Sequence, residues 1–151
     1  MNFLPVGINV KNKRIIMIGG GNVALQKLRV LITTSAKIQI YADNVCQEIR
    51  AMSNLQWSEQ PYEEKLLKGA FLVYACTNDR ELNRRIAVEA REQGALVNTA
   101  DDPANCDFTS LALWTQGNLT VAVSSDAKDT KHAVELRNKI RDVFINDSTA
   151  G

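Results

Sequence analysis

Two stretches carry residue types that could do chemistry. Gly19-Gly20-Gly21-Asn22-Val23-Ala24 sets three glycines and an alanine in the spacing G-x-G-x-x-[G/A]. Asn98-Thr99-Ala100-Asp101-Asp102-Pro103 sets two carboxylates behind two polar side chains. The first suits a phosphate: one glycine lets the chain turn sharply, another leaves the backbone bare for close approach, and a small residue lets helix and strand close. Gly19, Gly21 and Ala24 take those three places, so Gly19 and Gly21 are the candidate cradle for the pyrophosphate of a dinucleotide. The second stretch offers Asp101 or Asp102 as a general acid-base group, with plain turn chemistry as the competing reading. No lysine, histidine or nucleophile neighbours these carboxylates in the sequence.

The surrounding elements must put both stretches at one place. Arg14 to Ile18 is a short apolar run that ends in the glycines and reads as a strand buried on both faces. Ala24, Leu28 and Leu31 then recur with helical period, so free N–H groups and a positive dipole end should face the glycine turn. Lys37 to Ala42 is a second strand, and Asp43 follows it where the fold expects an acid for the ribose hydroxyls, which favours NAD over NADP; capping of a helix from Val45 to Met52 is the competing role. Leu55 to Trp57, Phe71 to Cys76 and Ala95 to Asn98 read as further strands. Brief helices are expected over Tyr62 to Lys68 and from Asp79 to about Gln93. Thr77 and Asn78 end one strand; Asn98, Thr99, Asp101 and Asp102 end another. Such ends face the ligand in a doubly wound sheet, so Thr77 joins the candidate cofactor contacts.

Beyond Pro103 the style changes. Phe108 to Trp114 and Leu119 to Val123 are joined by Gln116-Gly117-Asn118 and predict a β-hairpin, and an amphipathic helix runs from about Thr130 to Ile145. The expectation is an α/β chain: a Rossmann-like, doubly wound parallel sheet over residues 1–105, then a hairpin and helix over 106–151. The second part is too small for its own core and needs a neighbour or a partner copy.

Composition narrows the classes. The 151 residues are 45% hydrophobic and 23% charged with a net charge of +1, which supplies no field for nucleic acid or an anionic membrane. No apolar run reaches the roughly 20 residues that span a bilayer, and Met1 to Pro5 has neither the basic nor the apolar stretch of a secretory signal; the default is cytoplasmic. The cysteines Cys46, Cys76 and Cys106 form no metal-binding spacing and His132 is the one histidine, so no metal site is expected.

Taken in order, these segments resemble the precorrin-2 dehydrogenases of siroheme synthesis, including the N-terminal module of bifunctional siroheme synthases. The shared features are Leu4-Pro5, the glycine turn followed by Lys27, Ala75-Cys76-Thr77-Asn78-Asp79 followed by Asn83, Asn98-Thr99-Ala100-Asp101-Asp102-Pro103 followed by Phe108, and Val121-Ala122-Val123-Ser124-Ser125. The resemblance covers the chain to about Ile145. It implies NAD-dependent oxidation of precorrin-2 to sirohydrochlorin, in some members with insertion of Fe2+. It selects Asp101 over Asp102 as the catalytic acid-base residue and adds Asn22, Val23, Asp43 and Asn44 as dinucleotide contacts. It also implies a homodimer built on the hairpin and last helix, with the substrate in a cleft beside the nucleotide domain. Ser124, Ser125, Lys128 and Lys131 would then meet the carboxylates of the tetrapyrrole.

Three departures from the family pattern carry expectations. Asp126-Ala127-Lys128-Asp129-Thr130 stands in the segment where members have glycine then proline, so the added acids should repel the substrate while Lys128 attracts it. Ser35 replaces a glycine that closes the first helix, at about 1 kcal/mol if it is left-handed. A C-terminal helical region that covers the tetrapyrrole in many members would, if lacking, open the cleft and disfavour chelation. Two other readings stand beside the enzyme: a catalytically degenerate NAD- or tetrapyrrole-binding module, and an NAD-sensing domain of a transporter.

Overall fold

The computed structural model describes residues 1–53 and 55–148, apart from the side chains of 146–148; Asn54 and the last three positions of the expected 106–151 region lie outside the described residues. Two compact units are present, one from Ile8 to Phe108 and one from Met1–Gly7 together with Thr109–Gly151.

The first unit holds five strands, β1 (Arg14–Ile18), β2 (Lys37–Ala42), β3 (Gln56–Glu59), β4 (Leu72–Ala75) and β5 (Leu96–Thr99), in one sheet of order β3-β2-β1-β4-β5. Every pairing is parallel. The connections include helices α1 (Asn22–Leu31), α2 (Gln47–Arg50) and α3 (Arg80–Glu92). Alternation along the strands explains the layering. Ile15, Met17, Tyr74 and Cys76 pack with Ala24, Leu28 and Leu31 of α1, whereas Ile16, Ile18, Val73 and Val97 pack with Ile86, Ala87 and Ala90 of α3. A strand buried on both faces has no polar side to show, and Ile15, Ile16 and Met17 are fully buried. The fold is Rossmann-like, as the sequence predicts.

The second unit is an antiparallel hairpin, β6 (Ala112–Gln116) with β7 (Leu119–Val123), packed on α4 (Thr130–Ser148). Trp114 and Phe144 rings meet at 5.7 Å, and Arg137 donates to the Leu113 carbonyl at 2.6 Å. Among the described residues Ala133 is its one fully buried hydrophobic side chain, while Leu119, Leu136, Val143 and Phe144 are exposed.

Several local expectations change. The helix over Val45–Met52 contracts to the single turn Gln47–Arg50, and that over Tyr62–Lys68 is a 3-10 turn, Glu64–Leu67. The strand expected from Phe108 begins at Ala112. Ser35 takes no left-handed conformation, so its expected penalty does not arise. Instead α1 closes on Ile32 in helical geometry, and the Thr33 and Thr34 hydroxyls donate to the Val30 and Leu31 carbonyls at 2.7 and 2.6 Å. Two threonines thus satisfy the helix end that a glycine motif would otherwise complete.

Candidate functional site

All the strands of the parallel sheet end at one edge, and β1 and β4 lie side by side at the point where the strand order reverses. The glycine turn leaves β1 there. Gly19 has φ +118°, and a Cβ on it would lie 2.4 Å from the Cys76 carbonyl oxygen. At Gly20 a Cβ would lie 2.6 Å from the Asn44 carbonyl oxygen and 2.8 Å from Val45 Cα. Side chains are excluded at both positions by backbone, which cannot swing away. The requirement at Gly20 is invisible in the motif, where the middle place is free; it comes from the β2–α2 loop, whose Cys46 N–H donates to the Gly20 carbonyl at 2.9 Å. Gly21 differs, since a Cβ there meets nothing within 4 Å. It faces open space in front of α1.

The start of α1 is unusually bare. Its N-cap is Gly21, with no side-chain cap and no acid in the first turn. The first amides of a helix have no intrahelical acceptor, and together with the dipole they make an anion seat. Asn22 and Val23 are exposed beside it. Asp43 and Asn44 are exposed directly after β2. The competing role for Asp43 falls away, because α2 begins at Gln47 on Cys46 with no side-chain cap.

Thr77 follows β4, but its hydroxyl is turned inward. It donates to Asn83 Oδ1 at 2.7 Å, and the Thr77 N–H reaches the same oxygen at 3.1 Å. Asn83 is 1% exposed, and its Nδ2 donates to the Thr77 carbonyl at 3.1 Å and to Asp101 Oδ1 at 3.0 Å. On the other side, Arg80 Nε lies 3.3 Å from Asp101 Oδ2. Asp101 is therefore held at both oxygens, and its cationic neighbour is an arginine, not the lysine or histidine that the sequence also lacks beside it. Asp102 plays another part: its carbonyl accepts from the Thr99 hydroxyl at 2.7 Å and its carboxylate from Asn105 at 2.7 Å, closing the turn Pro103–Asn105. The structure thus separates the two carboxylates that sequence alone leaves open.

Lys27, which follows the glycine turn on α1, faces the same region. Its ammonium lies 5.5 Å from the Tyr74 ring centroid, and burial holds its pKa below the ordinary lysine value against the opposing pull of Cys76 and Cys106. Burial pushes the Cys76 thiol up to about 12, with Lys27 opposing and Asp101 reinforcing the shift. Cys76 is a neutral packing residue rather than a nucleophile.

Ser124, Ser125, Lys128 and Lys131 belong to the second unit. The Ser124 hydroxyl accepts from the Asp126 N–H at 3.2 Å and the Ser125 hydroxyl from the Asp129 N–H at 3.1 Å. Lys128 pairs with Asp126 at 3.2 Å, whereas Lys131 is exposed. Asp126 is engaged within its own unit. Its Oδ1 accepts from the Asn2 and Phe3 amides at 2.7 and 2.8 Å. The Phe3 amide, then the Asn2 amide, hold its carboxyl down at about 2, so it stays ionised. Asp126 and Ala127 both have positive φ, 56° and 60°, the strain that glycine would avoid. Among the described residues no group of three or more His, Cys, Asp or Glu side chains is arranged to hold a metal, and no helix is long and apolar enough to cross a membrane.

Comparison with known proteins agrees with this geometry. The family described as "Putative NAD(P)-binding" matches residues 6–112. The siroheme synthase of Buchnera aphidicola subsp. Acyrthosiphon pisum is 33% identical over 149 residues, covering 97% of this chain and 32% of that protein. That of Photorhabdus laumondii is 32% identical over 143 residues, covering 93% and 30%. The chain spans about a third of the length of these relatives. Among solved structures, "SirC, precorrin-2 dehydrogenase" superposes with a TM-score of 0.79 at 20% identity, over 91% of this chain and 69% of that one.

Proposed function

Because this chain belongs to the NAD(P)-binding family that matches residues 6–112, we propose that it is an NAD-dependent dehydrogenase that oxidises precorrin-2 to sirohydrochlorin. The observation that carries the reading is the carboxyl edge of the sheet, where an uncapped helix start and a glycine turn stand beside a carboxylate held at both oxygens. The printed names of the relatives, siroheme synthase and precorrin-2 dehydrogenase, supply the substrate class.

The residues fit a dinucleotide. Gly19 and Gly20 hold the turn, Gly21 leaves the approach clear, and the amides of Asn22 and Val23 meet the diphosphate. Asp43 and Asn44 meet the adenosine ribose; a carboxylate there bonds the 2′-hydroxyl and repels a 2′-phosphate, which selects NAD over NADP. Thr77 borders the nicotinamide end. When bound, NAD+ supplies the acceptor for a hydride lost from a reduced ring carbon. Asp101 takes the accompanying proton, so two electrons and two hydrogens leave the macrocycle and one double bond is gained. Lys131 meets a substrate carboxylate directly, and Lys128 does so by leaving Asp126. Ser124 and Ser125 shape the loop that presents them. The exposed apolar side chains Leu119, Leu136, Val143 and Phe144 support a homodimer through the second unit, since such patches mark association surfaces.

A dinucleotide-binding module without turnover has one observation in its favour, the engagement of both serine hydroxyls and Lys128 within their own loop. Mixing the protein with enzymatically generated precorrin-2 and NAD+ separates the readings. Sirohydrochlorin and NADH should appear together, with NADP+ at least tenfold slower, and Asp101→Ala should lower the rate by about 10²-fold or more. Binding of NADH without product would favour the module; no binding at all would overturn both. A monomer in sedimentation at assay concentrations would remove the dimer.

A further inference from the structure

The two oxygens of Asp101 are held by groups of opposite character. Asn83 is buried and uses all its hydrogen-bonding capacity: Oδ1 accepts from the Thr77 N–H and hydroxyl, and Nδ2 donates to the Thr77 carbonyl and to Asp101 Oδ1. Because Thr77 N–H can only donate, the amide of Asn83 can be placed only one way round, with Nδ2 toward Asp101. Asn83 is itself out of reach of water, so the direction of its bond to Oδ1 is fixed. Arg80 is the reverse: its side chain is 66% exposed, and its contact with Oδ2 is long, at 3.3 Å. An exposed ion pair of this kind is worth little and exchanges readily. Asp101 also acts electrostatically on the neutral thiol of Cys76, and Asp102 on its own turn has its carboxylate taken by Asn105.

We infer that Asn83 is the positioning residue for Asp101, and that Arg80 is an exchangeable cover on Oδ2 that a carboxylate of the incoming substrate draws away. The inference rests on the reading of Asp101 as the base. While Arg80 sits on Oδ2, that oxygen is occupied. A polycarboxylate substrate offers the guanidinium a better, bidentate partner. Oδ2 is then free to accept the proton, in a direction fixed through Oδ1. The base is thus unmasked only when an anionic substrate is in place, and it is protected between turnovers.

The test uses the full chain and reads kcat and KM separately. Asn83→Asp keeps the acceptor for Thr77 but turns the donor toward Asp101 into a repelling oxygen. It should lower kcat by about 10²-fold, with KM for precorrin-2 and the affinity for NADH changed by less than about threefold. Arg80→Gln should instead raise KM by about tenfold with kcat retained. In the Asp101→Asn background, Asn83→Asp should lower kcat no further, because residues that act as a unit are not additive. If Asp101→Asn is inactive while Asn83→Asp turns over normally, or if the two losses multiply, the positioning role is wrong although the dehydrogenase reading survives. If Asp101→Asn retains full turnover, the reading of Asp101 fails and takes the inference with it. Should Asn83→Asp not fold, Arg80→Gln decides alone: a lower kcat at unchanged KM would overturn the exchange.

Discussion

Helices α1 and α3 leave the same edge of one parallel sheet, and their first turns are finished in opposite ways. At α3, Asp79 is the N-cap, with its carboxylate 2.9 and 3.1 Å from the Glu81 and Leu82 amides, and Glu81 places a further negative charge against the dipole. At α1 the cap is glycine, no side chain bonds the free amides, and the first turn has no acid. A good cap contributes about 1 kcal/mol, so α1 forgoes stability that α3 takes. The difference shows how two helix starts on one sheet edge come to suit different partners. The helix that supplies its own carboxylate is closed to a phosphate, and the helix that withholds one is left to be completed by a ligand.

Three substitutions probe that contrast. The largest effect is expected from Gly19→Ala. It forces an L-residue to φ +118° and a methyl group into the Cys76 carbonyl. Strain and overpacking together should cost about 3 kcal/mol in a denaturant titration, and NADH binding should vanish. A stable Gly19→Ala protein would mean that the turn adapts. Next comes Gly21→Asp, which makes α1 resemble α3. The new Cβ has open space, so stability should hold or rise by up to about 1 kcal/mol. NADH affinity should fall about a hundredfold, because a fixed carboxylate occupies the amides and repels the diphosphate. Retained affinity in a fluorescence titration would place the phosphate elsewhere. The smallest effect is that of Asp79→Ala, about 1 kcal/mol off the urea stability. A change below about 0.3 kcal/mol would show that the cap at α3 is ornamental and the contrast empty.

The sequence carries this much of the site because the features are local. The glycines, the apolar strand before them and the helical period after them are contiguous, and the position of Asp43 follows from the length of one strand–helix–strand unit. The same locality explains what was not legible. Asn83 and Arg80 lie 18 and 21 residues before Asp101 and meet it only because α3 returns across the sheet in a register that no periodicity encodes. The partners of Asp126 Oδ1 are likewise amides 124 and 123 residues before it, which its loop does not reveal. Thr33 and Thr34 replace a glycine signal by hydroxyl bonding that composition does not announce. Contacts between distant segments, rather than the segments themselves, are what the sequence withholds.

The second unit is assembled from residues 1–7 and 109–151, and that has a consequence for synthesis. Translation at about 5–20 residues per second leaves Asn2 and Phe3 waiting roughly 6–25 s for Asp126 to be made. Residues 8–108 are contiguous and meet no such delay. On the ribosome the nucleotide-binding unit can close first, while the amides of Asn2 and Phe3 stay without their carboxylate partner until Asp126 emerges.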